Sequence, residues 1–306
     1  MPFHIDDKNT LIQMKQNPHL IYENEIVRVN KNTGLLRTHM NYSYEAYLIK
    51  IEHTADGIPK QALFIGSIHK QSNNGLHNAD HLTYQNFVTA VNKLCLDLNV
   101  HPSICMLRPF EYGLNIEIPW DFKDLIYNIF FHRRKEFRLP MHNVRLVRCG
   151  GSKNNYEVKV YAKSEQYPEY CTGKVLRVEI HENRMRELNK KGISRLSDLL
   201  VLENHLKLRD VFLDRLQQVV FFDYTINNNV PDDLLPIIDQ YKNQNFWRDL
   251  VFQDSLDNGR RYNYNLQKLN MLSKKFGSSI WSCILDMLDV QYISNLNLST
   301  DVKLTA

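Results

Sequence analysis

Residues 154–164 read NNYEVKVYAKS, and residues 174–182 read KVLRVEIHE. In the first, Tyr156, Val158 and Val160 alternate with Glu157, Lys159, Tyr161 and Lys163. In the second, Leu176, Val178 and Ile180 alternate with Arg177, Glu179 and His181. Successive strand side chains point to opposite sheet faces, so this period of two separates an apolar face from a chemically loaded one. Two half-buried strands are expected. If they pair, Tyr161, Lys163, Arg177, Glu179 and His181 share one face.

Upstream, EAYLIKIEH around Tyr47 to Ile51 and QALFIGSIH around Leu63 to Ile68 are short β-branched and aromatic runs that read as neighbouring strands. YQNFVTAVNKLCLDL carries Phe87, Val91, Leu94 and Leu98 at helical spacing behind Thr83, a ready N-cap. YGLNIEIP reads as a strand closed by Pro119. WDFKDLIYNIFFH, with Phe122, Leu125, Ile126 and Ile129, reads as another helix face. Beyond Glu182 the spacing turns helical through NRMRELNKKGISRLSDLLVLENHL and KLRDVFLDRLQQVVFF. A break follows at Val230-Pro231-Asp232, and the polar tail from Ser294 is expected to be loose. These patterns predict an α+β fold, with an α+β region over 1–205 and a mainly helical region over 206–306.

At 306 residues and 43% apolar content the chain can bury a substantial core. The net charge of +4 is modest, but it is unevenly spread. Between positions 133 and 163, nine basic side chains stand against Glu136 and Glu157, leaving +7, more than the whole chain's net charge. Such a stretch favours contact with a nucleic-acid backbone over the alternative of a solvated helix end, where cations meet the dipole. Five cysteines without a C-x-x-C pair, and no signal-like or membrane-length apolar run, predict a soluble cytoplasmic protein with reduced thiols.

Four stretches carry candidate chemistry. Tyrosine-mediated strand cleavage needs a phenol, a cation to neutralise phosphate oxygens and commonly a lysine nearby, and YAKS offers Tyr161 with Lys163. Asn115 and Glu117 are oxygen-bearing residues on one face of a short strand, the ligand type that hard cations prefer. GSIHKQSNNGLHNADHLT gathers His69, Lys70, His77, Asn78 and His81 between a strand and a helix. It could aim donors at phosphate or simply close a hydrogen-bonded turn. FFHRRKEFRLP presents Arg133, Arg134 and Lys135.

In their order and spacing these blocks resemble the rolling-circle replication initiators of single-stranded DNA phages and plasmids, the filamentous-phage gene II and gene X type within the HUH-like endonucleases. The blocks are GSIHKQSNNGLHNADHLT, FEYGLNIEIP, VKVYAKSEQY and LRVEIHENRMRELNKKGISRLSDLL, followed by FFDYTIN and NQNFWRDL. The resemblance spans about Ile65 to Phe276. It implies an antiparallel-sheet replication endonuclease in which Tyr161 forms a 5′-phosphotyrosine at origin DNA, with Tyr156 the second candidate nucleophile. It further implies Mg2+ or Mn2+ on Glu117, Glu179 and Asn115, with Lys163 steadying the phosphate and Arg177 fixing Glu179 or touching DNA. His69, Lys70, His77, Asn78, Arg133, Arg134 and Lys135 are the implied DNA contacts, and a host helicase or polymerase the further partner. Ala162 stands where the group usually has an acidic residue, and Asn115 with Glu117 replaces the better-known His-hydrophobe-His pair. The alternative is a DNA-binding regulator of the same fold that does not cut.

Overall fold

The computed structural model describes residues 1–29, 33–34, 36–138, 146–150 by backbone, 155–226, 230–253 and 259–298. The chain opens with β1 (Phe3–Ile5), α1 (Lys8–Met14), β2 (Ile21–Val29), β3 (Leu36–Tyr44), β4 (Tyr47–His53) and β5 (Pro59–Gly66). Then come α2 (Ile68–Ser72), α3 (Tyr84–Asp97), β6 (Met106–Leu107), β7 (Glu111–Glu117), α4 (Phe122–Tyr127), β8 (Ile129–His132) and β9 (Lys135–Glu136). The expected strand pair follows as β10 (Leu146–Gly150), β11 (Tyr156–Ala162), α5 (Lys163–Gln166) and β12 (Val175–Glu182). The rest is α6 (Arg186–Lys190), α7 (Leu202–Leu216), β13 (Val219–Phe221), α8 (Leu235–Lys242), α9 (Gln244–Gln253), α10 (Arg260–Phe276) and α11 (Ile280–Asn295). Among the described residues no helix is long and apolar enough to cross a membrane.

The fold is α+β, and its compact units interleave in sequence. One comprises Met1–Glu111, Arg184–Leu208 and Ser294–Ala306; the other comprises Tyr112–Asn183 and Arg209–Ile293. One change of unit, between Leu208 and Arg209, falls close to position 205; the others follow Glu111, Asn183 and Ile293, and the described chain beyond 205 is mainly helical apart from β13.

The first unit is built on a six-stranded sheet in the order β2-β3-β4-β5-β1-β6. The anticipated β4–β5 pair is antiparallel, with Ile49 opposite Phe64 and Ile51 opposite Ala62. Phe3 of β1 stacks on Phe64 with ring centroids 4.2 Å apart, so a three-residue strand is held by aromatic burial rather than by length. Thr83 caps α3 as expected, accepting from the Asn86 amide at 3.1 Å, and Phe87, Val91, Leu94 and Leu98 are buried.

The second unit carries a four-stranded sheet, β10-β11-β12-β7. Its apolar face, with Val158, Val160, Leu176, Val178, Ile180, Leu114 and Ile116, packs under Leu125 of α4, Phe212 and Leu216 of α7, and Ile284 and Leu288 of α11. A separate three-stranded sheet, β13-β8-β9, packs with α8, α9 and α10 around Trp247, Tyr241 and Leu269. Two readings of the sequence are corrected here. The helix expected through Ile129 stops at Tyr127, because Asn128 leaves helical geometry and IFFH is needed as a central strand buried on both faces. VVF, expected as a helix end, forms β13 and pairs with β8 for the same reason. The tail from Ser294 still buries Asn295 and Leu296; positions 299–306 lie outside the described residues.

His132 ends β8 fully buried, and its Nε2 donates to the Arg215 carbonyl at 3.0 Å. Burial lowers its pKa from 6.5 to about 4, opposed by that bond and reinforced by Arg133 and Arg215. The unfolded chain then binds one more proton between these values, so this histidine makes stability fall as pH drops from 6.5 towards 4. Urea midpoints across that window should decline less steeply in His132→Gln, which removes the titration.

Candidate functional site

The polar face of the four-stranded sheet brings together most of the residues singled out around Tyr161. In the antiparallel β11–β12 register Tyr161 stands opposite Arg177, Lys159 opposite Glu179 and Glu157 opposite His181. Beside β12, the Ile118 amide donates to the Lys174 carbonyl at 2.9 Å, while Gly113 abuts Val178 and Glu179. Numbers rise along one strand as they fall along the other, so β7 runs antiparallel to β12 and sets Asn115 beside Arg177.

Arg177 organises this face. Its Nε donates to Glu179 Oε1, and its Nη1 donates to Asn115 Oδ1 at 2.9 Å, so one planar fork bridges two strands. Asn115, Lys159, Tyr161, Arg177 and Glu179 are all buried. Lys163, expected on the strand, instead opens α5, because β11 ends at Ala162. It still reaches Tyr161: its Nζ lies 5.6 Å from that ring's centroid and 4.5 Å from the Tyr167 ring, and it donates to Gln166 Oε1 at 2.9 Å. With 1% of its surface exposed, Lys163 is among the most deeply buried side chains described. The Val175 amide donates to Ser164 Oγ at 3.2 Å, tying α5 to the start of β12.

Glu117 occupies the same end, exposed, with its carboxyl carbon 3.8 Å from where a Cβ on Gly173 would stand. Burial pushes the nearby Cys171 thiol up, with Lys163 pulling the other way and Glu169 and Glu117 adding to the rise. Sequence reasoning left Lys159, Gln166 and Tyr167 out of the site. Odd-residue alternation was a sufficient signal for Lys159; the other two depend on the turn into α5, which the strand pattern does not foresee.

The donor set, as arranged, does not fit a shared divalent ion. Glu179 faces Gly113 and Glu117 faces the start of β12, four residues apart, or roughly 13 Å along the strands. The guanidinium of Arg177 lies between them and holds the oxygens of Glu179 and Asn115. Among the described residues no group of three or more histidine, cysteine, aspartate or glutamate side chains is placed to hold a metal.

Tyr156 projects to the other face, inside the apolar core, where the Arg215 guanidinium lies 3.8 Å from its ring centroid. The two candidate nucleophiles thus occupy opposite sides of one strand. Arg133 and Arg134 form the tip of the β8–β9 hairpin, both with positive φ (43° and 66°), so the basic run is a tight turn rather than a helix end. Arg133 pairs with Asp214 at 3.4 Å, and Arg134 Nη2 donates to the Val251 carbonyl at 3.5 Å. Of the other basic residues in that stretch, Arg145 and Lys153 lie outside the described residues, and Arg148 is described by backbone alone.

The histidine loop belongs to the first unit. Asp80 is its hub, bound by His69 Nε2 and Asn73 Nδ2, each at 2.7 Å, with His77 Nδ1 at 3.7 Å. Burial pushes the Asp80 carboxyl up, but the His69 hydrogen bond and charge, with the Asn73 bond, bring it to about 2. Lys70 lies in α2, and Asn78 is half-buried in the loop. This is a hydrogen-bonded turn built on a carboxylate.

Gly113 is where the site depends most on a missing side chain. A Cβ there would stand 2.3 Å from the Val178 carbonyl oxygen and 2.7 Å from Glu179 Cα, both backbone atoms that cannot swing aside. Gly113→Ala is expected to lose on the order of 1–3 kcal/mol by overpacking, read as a lowered thermal midpoint.

No family model, curated protein or solved structure matches this chain.

Proposed function

We propose that the polar face of β11, β12 and β7 is a DNA strand-cleavage centre and that the protein initiates rolling-circle replication. The observation that carries this reading is the setting of Tyr161, with Arg177 opposite it and Lys163 at its ring. In the reaction the Tyr161 Oη–P bond forms as the P–O3′ bond breaks, with one proton leaving the phenol and one reaching the departing O3′. Reversal rejoins the strand. Lys163, Lys159 and Arg177 supply fixed positive charge for the non-bridging oxygens of the five-coordinate phosphorus. Asn115 and Glu179 aim the Arg177 fork, and Gln166 and Tyr167 hold the Lys163 ammonium.

The deep burial of Tyr161 and Lys163 favours a second reading, a regulator that binds the origin and does not cut. One assay separates the two: incubation with single-stranded origin DNA, with manganese and with chelator, then a denaturing gel and peptide mapping. The first reading expects a covalent adduct on Tyr161 that Tyr161→Phe abolishes and Tyr156→Phe retains. Binding without an adduct in every condition would establish the regulator.

A further inference from the structure

The second unit holds a cavity of about 550 Å³, bounded by α10, the turn from α7 into β13, and the start of α11. That size lies within the roughly 300–1,000 Å³ typical of small-molecule sites. Its floor is aromatic: Phe221 and Trp281 stack with centroids 5.7 Å apart at 24°, and Trp281 Nε1 donates to the Leu216 carbonyl at 3.1 Å, which fixes the indole plane. One wall is polar by helical spacing. Asn263, Gln267 and Asn270 fall at i, i+4 and i+7 and so share one side of α10, and Gln217 and Gln218 line the cavity from the turn. None of these five carboxamides is engaged in a side-chain hydrogen bond among the described residues.

Asp223, the one charged lining group among the described residues, is already committed. Its Oδ1 accepts from the Thr225 amide at 3.0 Å, and its Oδ2 accepts from the Ile280 amide at 3.2 Å. No lysine, arginine or histidine lines the cavity among the described residues, which disfavours phosphate there. What remains is a flat apolar floor under a set of paired donors and acceptors. That chemistry suits a neutral planar ligand whose edge carries both, and asparagine and glutamine read adenine in this manner through N6 and N7. Sugars also stack on aromatic faces and hydrogen-bond to carboxamides, so glucose is the competing ligand in the test.

We infer that the cavity is a nucleobase-binding site. Free nucleosides and unpaired bases of a DNA strand present the same chemistry; preferring a strand base as the occupant rests on the strand-cleavage reading. Saturation-transfer NMR of the full chain with each of the four deoxynucleosides, and with glucose, tests base binding directly. Anisotropy of a fluorescein-labelled single strand tests the strand source. Asn263→Ala/Gln267→Ala/Asn270→Ala removes the wall from an exposed helix side where alanine favours the helix, so folding should survive.

Saturation transfer to base protons is expected, with an apparent Kd at least tenfold weaker in the triple variant, since loss of even one well-formed bidentate pairing costs about that much. A parallel loss of single-strand affinity identifies a strand base as the ligand; unchanged strand affinity identifies a free nucleoside. No transfer to any deoxynucleoside, transfer indifferent to the triple variant, or transfer to glucose instead would overturn the inference. Because none of these signals requires cleavage, failure of the Tyr161 adduct leaves them standing.

Discussion

Arg215→Met is expected to lower stability by about 3–5 kcal/mol, because it strips a buried carboxylate of its counter-charge. Arg215 Nη1 and Nη2 both reach the Glu182 carboxylate, Nη1 also donates to Tyr112 Oη at 3.2 Å, and Tyr112 Oη in turn donates to Glu182 Oε1 at 3.0 Å. The Glu182 side chain is 1% exposed and that of Arg215 is 5% exposed, so water cannot take over when one partner is removed. The guanidinium also covers the Tyr156 ring, so its loss opens packing as well as charge. Urea unfolding should therefore show a sharply lower midpoint for Arg215→Met and for Glu182→Leu alone. The pair Arg215→Met/Glu182→Leu should recover most of the loss, since no charge is then left buried. A double variant as unstable as the sum of the two singles would mean that packing around Tyr156, not the ion pair, holds this corner.

The strands that frame the candidate site were legible because their alternation is strict. Val158, Val160, Leu176, Val178 and Ile180 are fully buried, and the odd-numbered residues between them form the face with Tyr161, as the period of two requires. The α3 helix was legible through Thr83 and its four apolar residues. Short elements were not. Phe3–Ile5 is a strand only because Phe64 and Leu107 receive Phe3 on either side, a long-range pairing with no local signature. The exposed β2 mixes Ile21, Tyr22, Val27 and Val29 with Glu23 and Glu25 and has no buried face to impose alternation. IFFH and VVF were misread because an all-apolar run fits a buried helix and a buried strand equally well.

At the site, residue types could be read but partners could not. Sequence placed carboxylate, amide and guanidinium on one face; it could not say that Arg177 would take both Glu179 and Asn115 for itself. Nor could it say that Glu117 would fall at the far end of the same strands. Which of two compatible pairings forms is set by register between β7 and β12, and those strands are separated by some sixty residues of chain.

Arg177→Lys is expected to be the most informative change at that face. A lysine keeps the charge but offers a point rather than a planar fork, so it cannot serve Glu179 and Asn115 together across two strands. One of those buried acceptors then loses its donor, and a buried acceptor left without one costs about 1–3 kcal/mol. Arg177→Met removes the charge as well and should lose about 3–5 kcal/mol, approaching the Arg215 variant. Lys159, opposite Glu179, is the cation best placed to soften that loss. If Arg177 also steadies phosphate, single-turnover adduct formation on Tyr161 should fall steeply in Arg177→Lys at a temperature where the variant remains folded. Asn115→Ala, which frees Nη1 but leaves the charge beside Tyr161, should reduce it far less. Equal falls in both variants, each tracking stability, would make Arg177 a structural clamp only. An adduct rate unchanged by Arg177→Lys would remove it from the reaction and leave Lys163 and Lys159 to face the phosphate.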